Sequence, residues 1–329
     1  MRKIIFGRTG LEISELAFGG GVTGGILINA DETTRVVALR RAVAAGINWI
    51  DTAPVYGNGA SEETIGRHLE SLEPRPYVST KVRLEADDLS DIPGAIERSL
   101  VQSLERLRSE WVALFQLHNH LGQGVGERIA LTPEQVLGGG GVADTFDRLK
   151  EQGLIHAAGI TAAGETDACL EVINSGRFDA AQVYYNVINP SAAWRRVPAG
   201  WKGGQNFCGL LAACFHQHMG VLNIRAFAGG VLANPERPER LFVMTADTDV
   251  DNEVRCATAV RRALGKDYGT PAQMALRFVL GNRDLASRVI GITKIDQLDE
   301  AVEAVAQGPL PTAAISKLDT LWANEFEAG

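Results

Sequence analysis

Four cysteines (Cys169, Cys208, Cys214 and Cys256) occur in 329 residues, none of them in a C-x-x-C pair. That scarcity excludes a disulfide framework and a thiolate metal site, and it predicts reduced thiols in a cytoplasmic protein. A basic excess is also missing. The net charge is −8, which does not suit a nucleic-acid partner whose phosphates need neutralising. No apolar run reaches the ~18 residues of a membrane span. The opening MRKIIFGRTG lacks the apolar core of a signal peptide. An H-E-x-x-H pattern is absent around His118 and His120, so no metal is expected. What remains is 45% hydrophobic and 22% charged, an ordinary globular balance.

Short apolar runs alternate with helical patterns along the whole chain. Residues 4–14 predict a hairpin around a Gly-Arg-Thr-Gly turn. Eight strand-like runs follow: ELAF ending at Phe18, INWI, YVST at 77–80, VALFQL at 112–117, AAGI at 157–160, AAQVYY at 180–185, VLNI at 221–224 and RVIGI. Between and after them, helices are expected near 31–45, 92–108, 143–152, 166–175, 205–218, 252–264, 296–306 and 312–326. Asp31 suits an N-cap, Ser61 and Thr64 stand at capping distance, and Pro271 suits a first turn. Regular alternation without a linker predicts an α/β fold, a closed (β/α)8 TIM barrel in a single domain over 1–329. The N-terminal hairpin would cap its base, and extra helices would follow at the C-terminus. Two Gly- and Pro-rich excursions, 119–142 and 186–204, follow strands and are expected at the catalytic face.

In a barrel, side chains at the C-terminal strand ends converge on one pocket. The second strand ends in Asp51, with Tyr56 five residues on; the third ends in Lys81; the fourth ends in His118. A lysine at the end of a buried strand needs a partner, and Asp51 on the neighbouring strand is the natural one. Moving hydride onto a carbonyl leaves an alkoxide that must receive a proton, and the reverse reaction needs a base. A phenol has an ordinary pKa of ~10, and a nearby cation lowers it. The expected division is therefore Tyr56 as acid and base, Lys81 tuning it, Asp51 holding Lys81, and His118 donating to the substrate oxygen.

These stretches resemble the aldo-keto reductases. INWIDTAPVYG with SEETIG is similar to that family's Asp-and-Tyr signature, YVSTKV to its lysine strand and LFQLH to its histidine strand. The resemblance implies a (β/α)8 barrel, the catalytic roles just given, and an extended NAD(P) cofactor bound without a Rossmann domain. It also implies cofactor contacts. AAGIT puts Thr161 at the family's serine, with Ala162 where an asparagine usually stands. Gln182 matches the carboxamide-binding glutamine, and NIRAFAGGVL puts Ile224 or Arg225 at a position usually aromatic. VIGITKIDQLDEAV supplies Gly291, Thr293, Gln297 and Glu300, with Lys294 placed to meet a 2′-phosphate.

GGGVTG at 19–24 fits a G-x-G-x-x-G dinucleotide fingerprint, but no helix opens directly after it. Its glycines, Gly20 among them, are expected to line the rim of the first strand. A Schiff-base role for Lys81 in a barrel aldolase would leave Tyr56 unexplained. The expected substrate is a small-molecule carbonyl or a sugar, an aldose oxidised to its lactone. Trp194 and Trp201 are candidates for stacking on the sugar ring. The alternatives are reduction of aromatic or pyridoxal-type aldehydes, and a nucleotide-binding regulatory subunit with little turnover.

Overall fold

A computed structural model describes residues 1–123, 129–198, 201, 204–234 and 248–327. The chain begins with an antiparallel hairpin, β1 (Lys3–Ile5) and β2 (Glu12–Ser14), with Ile4 opposite Ile13. Then come β3 (Leu16–Gly19), β4 (Trp49–Asp51), β5 (Tyr77–Val82) and β6 (Val112–Leu117). Two short paired strands, β7 (His120–Leu121) and β8 (Ala130–Leu131), interrupt the series. It resumes with β9 (Ile155–Ala162), β10 (Ala180–Tyr184), β11 (Gly220–Ile224) and β12 (Ser287–Gly291). Strands β3, β4, β5, β6, β9, β10, β11 and β12 pair in that order, all parallel, and β12 closes back onto β3. Such strands are covered on both faces, which is why VALFQL and AAQVY are apolar with little alternation and wholly buried.

The first helices are α1 (Ile26–Asn29), α2 (Glu32–Ala44), α3 (Ala60–His68) and α4 (Ile92–Leu107). Next come α5 (Pro133–Leu137), α6 (Val142–Glu151), α7 (Thr166–Asn174) and α8 (Leu210–His216). The last four are α9 (Val250–Leu264), α10 (Pro271–Leu280), α11 (Ile295–Gln307) and α12 (Thr312–Ala323). Asp31 caps α2 by accepting from the Thr34 amide at 2.9 Å, as its position suggests. Thr270 and Gln273 form a capping box around Pro271 at the start of α10.

Three local expectations change. Gly59 is the N-cap of α3, while Ser61 lies inside the helix and accepts from the Thr52 hydroxyl at 2.8 Å; Thr64 donates to the Leu27 carbonyl. The helix expected over 205–218 begins only at Leu210. Residues before it are tied elsewhere: the Gln205 amide donates to Gly164 O at 2.6 Å and the Phe207 N–H to Ser191 Oγ at 3.0 Å. The last helix stops at Ala323, short of the expected 326.

The hairpin plugs the base of the barrel. Phe6, Ile13, Ala17, Trp49, Leu114 and Leu222 form one buried cluster, with Phe6 edge-on to Trp49 at 5.1 Å. Gly220 permits this packing, since a Cβ there would come within 2.4 Å of the Phe6 ring. Asp179 fixes the plug in place by accepting from Arg8 Nε at 3.0 Å and from Lys150 Nζ at 2.8 Å. The opposite end, where strands release Asp51, Lys81 and His118, is left for chemistry. No helix among the described residues is long and apolar enough to cross a membrane.

Candidate active site

β4 ends in Asp51, and a tight turn then reverses the chain. Gly57, Asn58 and Gly59 have φ of 65°, 51° and 91°, and a Cβ on Gly57 would stand 2.7 Å from Ile28. Only glycine suits that combination of left-handed backbone and close contact. The turn swings Tyr56 back over the strand end, where the Tyr56 ring opens onto a cavity of about 900 Å³.

Beneath it, Lys81 is fully buried, and its ammonium has three acceptors. Lys81 Nζ donates to Asp51 Oδ2 at 2.7 Å, to the Thr52 carbonyl at 2.7 Å and to Tyr56 Oη at 3.2 Å. The other Asp51 oxygen accepts from Ser79 Oγ at 2.8 Å, Gln182 Nε2 at 2.7 Å and Gln116 Nε2 at 3.4 Å. The buried ion pair thus has its remaining lone pairs and protons satisfied, the condition under which such a pair is tolerated. His118 packs edge-on to Tyr56, with ring centroids 5.9 Å apart, and its backbone N–H donates to Val82 O at 2.8 Å. All four strand-end residues therefore meet at one place. Because Lys81 donates to the phenol oxygen, the phenol's own proton is left to point into the cavity.

The electrostatics differ from the expectation that lysine simply lowers the phenol pKa. Burial is the larger influence on Tyr56 and pushes it above its usual value; the Lys81 charge pulls the other way, and the Asp51 carboxylate adds to the rise. Burial likewise opposes the charge on Lys81, but Asp51 and then Tyr56 outweigh it, so Lys81 is raised and stays protonated. The resting site is a neutral phenol on a charged lysine, a proton donor at neutral pH.

The cavity runs from this cluster along β9, β10, β11 and β12 to the start of α11. Thr161, Gln182, Arg225, Gly291, Thr293, Gln297 and Glu300, the residues expected to contact a cofactor, all line it. The Thr161 hydroxyl is buried with no hydrogen-bond partner. Gly24 lets the first-strand loop lie against the backbone of Gly291 and Ile292, where a Cβ would come within 2.3 Å.

Four expected residues lie elsewhere. Gly20 is outside the cavity lining: its N–H donates to Asp51 O at 2.8 Å, and it packs on Ser61. Lys294 is exposed and also outside the lining. Trp194 and Trp201 do not reach the cavity. They pack edge-on to each other at 5.1 Å, Trp194 edge-on to Trp322 at 5.9 Å and Trp201 tilted against Phe326 at 6.3 Å. Their large apolar faces are half-buried against the C-terminal segment, which competes with presentation to a ligand. Of the two excursions, the first contributes Asn119, His120 and Ile129 to the lining, and no described residue of the second does. Sequence reasoning missed Arg83, His120, Asn29 and Phe227 in the lining, and Ser79 and Gln116 beside Asp51. A signal for Arg83 and His120 was available: each stands two residues beyond one of the strand-end residues Lys81 and His118.

A sequence profile of the Aldo/keto reductase family matches residues 15–323. The chain belongs to that family. Aldo/keto reductases are oxidoreductases acting on aldehyde and alcohol groups, and they use nicotinamide cofactors. Among curated relatives of this aldo/keto reductase is an L-galactose dehydrogenase of Arabidopsis thaliana, 26% identical over 311 residues, covering 92% of this chain and 87% of that protein. A D-threo-aldose 1-dehydrogenase of a Pseudomonas species is 26% identical over 350 residues, covering 97% and 95%. Among solved structures, the holo form of an aldo-keto reductase from Bacillus halodurans superposes with a TM-score of 0.72 at 22% identity, covering 98% and 96%. That likeness supports the barrel fold.

Proposed function

We propose that this chain is an NAD(P)-dependent dehydrogenase that oxidises an aldose to its lactone, or in reverse reduces a small hydroxy-aldehyde, with Tyr56 as general acid and base. The observation that carries the reading is the hydrogen-bonded chain Asp51–Lys81–Tyr56 at the floor of the cavity. The residues present fit a nicotinamide cofactor. Thr161 offers an unpartnered hydroxyl, and Gln182, with its amide nitrogen on Asp51, keeps its oxygen for a carboxamide. Arg225 and the Gly229–Gly230 turn suit a pyrophosphate, and Gly291, Thr293, Gln297 and Glu300 suit the adenosine end. The cofactor, when bound, supplies or accepts the hydride. Everything else is done by the chain. His118 orients the reacting oxygen against Tyr56. The phenol gives up or takes the proton at that oxygen, and Lys81 steadies the negative charge that develops on Oη.

The adenosine end favours NAD. Its lining carboxylate, Glu300, suits a ribose hydroxyl and repels a 2′-phosphate, and Lys294 does not face the cavity. The aldose assignment is supported by the polar rim of Asn29, Arg83, His118 and His120, and by the two sugar dehydrogenases among the relatives. Tyr56→Phe tests the mechanism. Turnover followed at the reduced-nicotinamide absorbance falls by about 10²–10⁴, while circular dichroism and cofactor binding stay as in the wild type. A near-wild-type rate in this variant would overturn the role of Tyr56.

A further inference from the structure

We infer that the substrate end of the cavity is built for an acidic sugar, one carrying a carboxylate, and that Arg83 receives that carboxylate beside His118 and His120. The inference rests on the aldose reading above and narrows it.

Two adjacent strands repeat one arrangement. β5 leads to Lys81 and then Arg83 two residues on; β6 leads to His118, and after a bend at Asn119 the chain re-enters a strand at His120. The register sets their heights. Lys81 lies opposite Gln116 and Val82 opposite Leu117, which carries Arg83 to the level of His118. Arg83, His118 and His120 all line the cavity with Tyr56. Arg83 therefore stands next to the group that orients the reacting oxygen.

The charge balance is unexpected for a chain of net −8. Among the described residues, Asp51 and Glu300 are the acidic groups lining the cavity, and Arg83 and Arg225 are the basic ones. Asp51 is neutralised by Lys81 at 2.7 Å, and Glu300 belongs to the far end on α11. Arg225 follows β11, four strands round the closed order from β5, so the two guanidiniums enter the cavity from different sides of the barrel. An anion on the β5 and β6 side of the cavity would meet Arg83.

Arg83 is free to serve such an anion. Its ion pair, Nε to Glu85 Oε1 at 3.3 Å, joins side chains that are 34% and 61% exposed, and Glu85 does not line the cavity. A pair so exposed contributes little. A guanidinium offers a planar fork that meets a carboxylate through two parallel hydrogen bonds, which a lysine cannot do. The chemistry at the reacting carbon is unchanged. C1 loses a hydride to the oxidised nicotinamide and O1 loses its proton to the Tyr56 system, so that a uronic acid in its ring form becomes the lactone of an aldaric acid.

The test compares D-glucuronate and D-galacturonate with D-glucose and D-galactose, using NAD or NADP, in the wild type, Arg83→Gln and Arg83→Lys. The wild type is expected to show higher kcat/KM for the acids. Arg83→Gln lowers the acid-over-neutral ratio about tenfold, the worth of one charge-assisted contact, and Arg83→Lys restores part of it. A ratio untouched by Arg83→Gln overturns the inference, as does a wild type that prefers the neutral sugars. Should none of the four sugars turn over, the aldose reading itself fails. Calorimetry with D-galacturonate on the cofactor-loaded protein then decides Arg83 alone: binding abolished by Arg83→Gln supports its role, and no binding to the wild type overturns it.

Discussion

Replacing Lys81 by methionine removes the ammonium while keeping most of the volume of its stem. In the wild type that ammonium lies 3.2 Å from Tyr56 Oη. With an effective dielectric of about 20, unit charges at this distance attract by about 5 kcal/mol. A transition state carrying about half of the phenolate charge retains about half of that, ~2.5 kcal/mol, which corresponds to a roughly 10²-fold loss in kcat. The substitution also strands Asp51, whose other contacts are Ser79, Gln182 and Gln116. Removing one partner of a buried pair costs about 3–5 kcal/mol of stability, so Lys81→Met is expected to melt earlier as well as to turn over slowly. The two losses are separable: kcat is measured well below the melting transition, with circular dichroism and cofactor binding as checks on folding. The pH profile gives a second signature. Aldose oxidation needs the phenol oxygen free of its proton, so its rate rises with pH towards the raised Tyr56 value. Without the opposing pull of Lys81 that value climbs further, and the rising limb moves to higher pH. A Lys81→Met enzyme with kcat within about threefold of wild type, or with an unmoved limb, would refute the electrostatic argument.

Other consequences can be checked independently. Thr161→Val removes the unpartnered buried hydroxyl and should raise the KM for the nicotinamide cofactor by about 2–10-fold, the worth of one ordinary hydrogen bond, with kcat nearly unchanged. Equal cofactor KM in the mutant would show that this hydroxyl meets nothing. Cofactor preference should favour NAD, and Glu300→Gln should narrow the gap to NADP by relieving repulsion of a 2′-phosphate; steady-state kinetics with both cofactors decide it. Asp179→Asn loosens the plug at the base and should cost about 1.5–3 kcal/mol in urea unfolding at neutral pH. Burial works to raise the Asp179 carboxyl, but the Ala158 amide, Lys150 and Arg8 outweigh it, so its pKa lies below the ordinary 3.8. Its contribution is therefore full above that ordinary value and lost as pH falls through the lower folded value. The mutant and wild type should converge in strong acid.

Much of this protein could be read directly. Each barrel strand is a short apolar run because it is covered on both faces. The order of Asp51, Tyr56, Lys81 and His118 is informative because a parallel barrel releases all strand ends on one rim. Local chemistry sufficed for the Asp31 cap and for Pro271 in the first turn of α10. Other features depended on contacts between distant residues. Trp194 and Trp201 looked available to a ligand until Trp322 and Phe326, more than a hundred residues later, covered them. Gln182 bonds the Asp51 carboxylate as well as lining the cavity because β10 stands across the barrel from β4. The sign of the Tyr56 shift was also a tertiary matter. Sequence supplies a lysine and a phenol, but only the packed barrel removes the water around them, and that desolvation outweighs the pull of the lysine. The order of strands and their terminal side chains was written in the chain, while the balance of charge, burial and access at their meeting point came from closing the barrel.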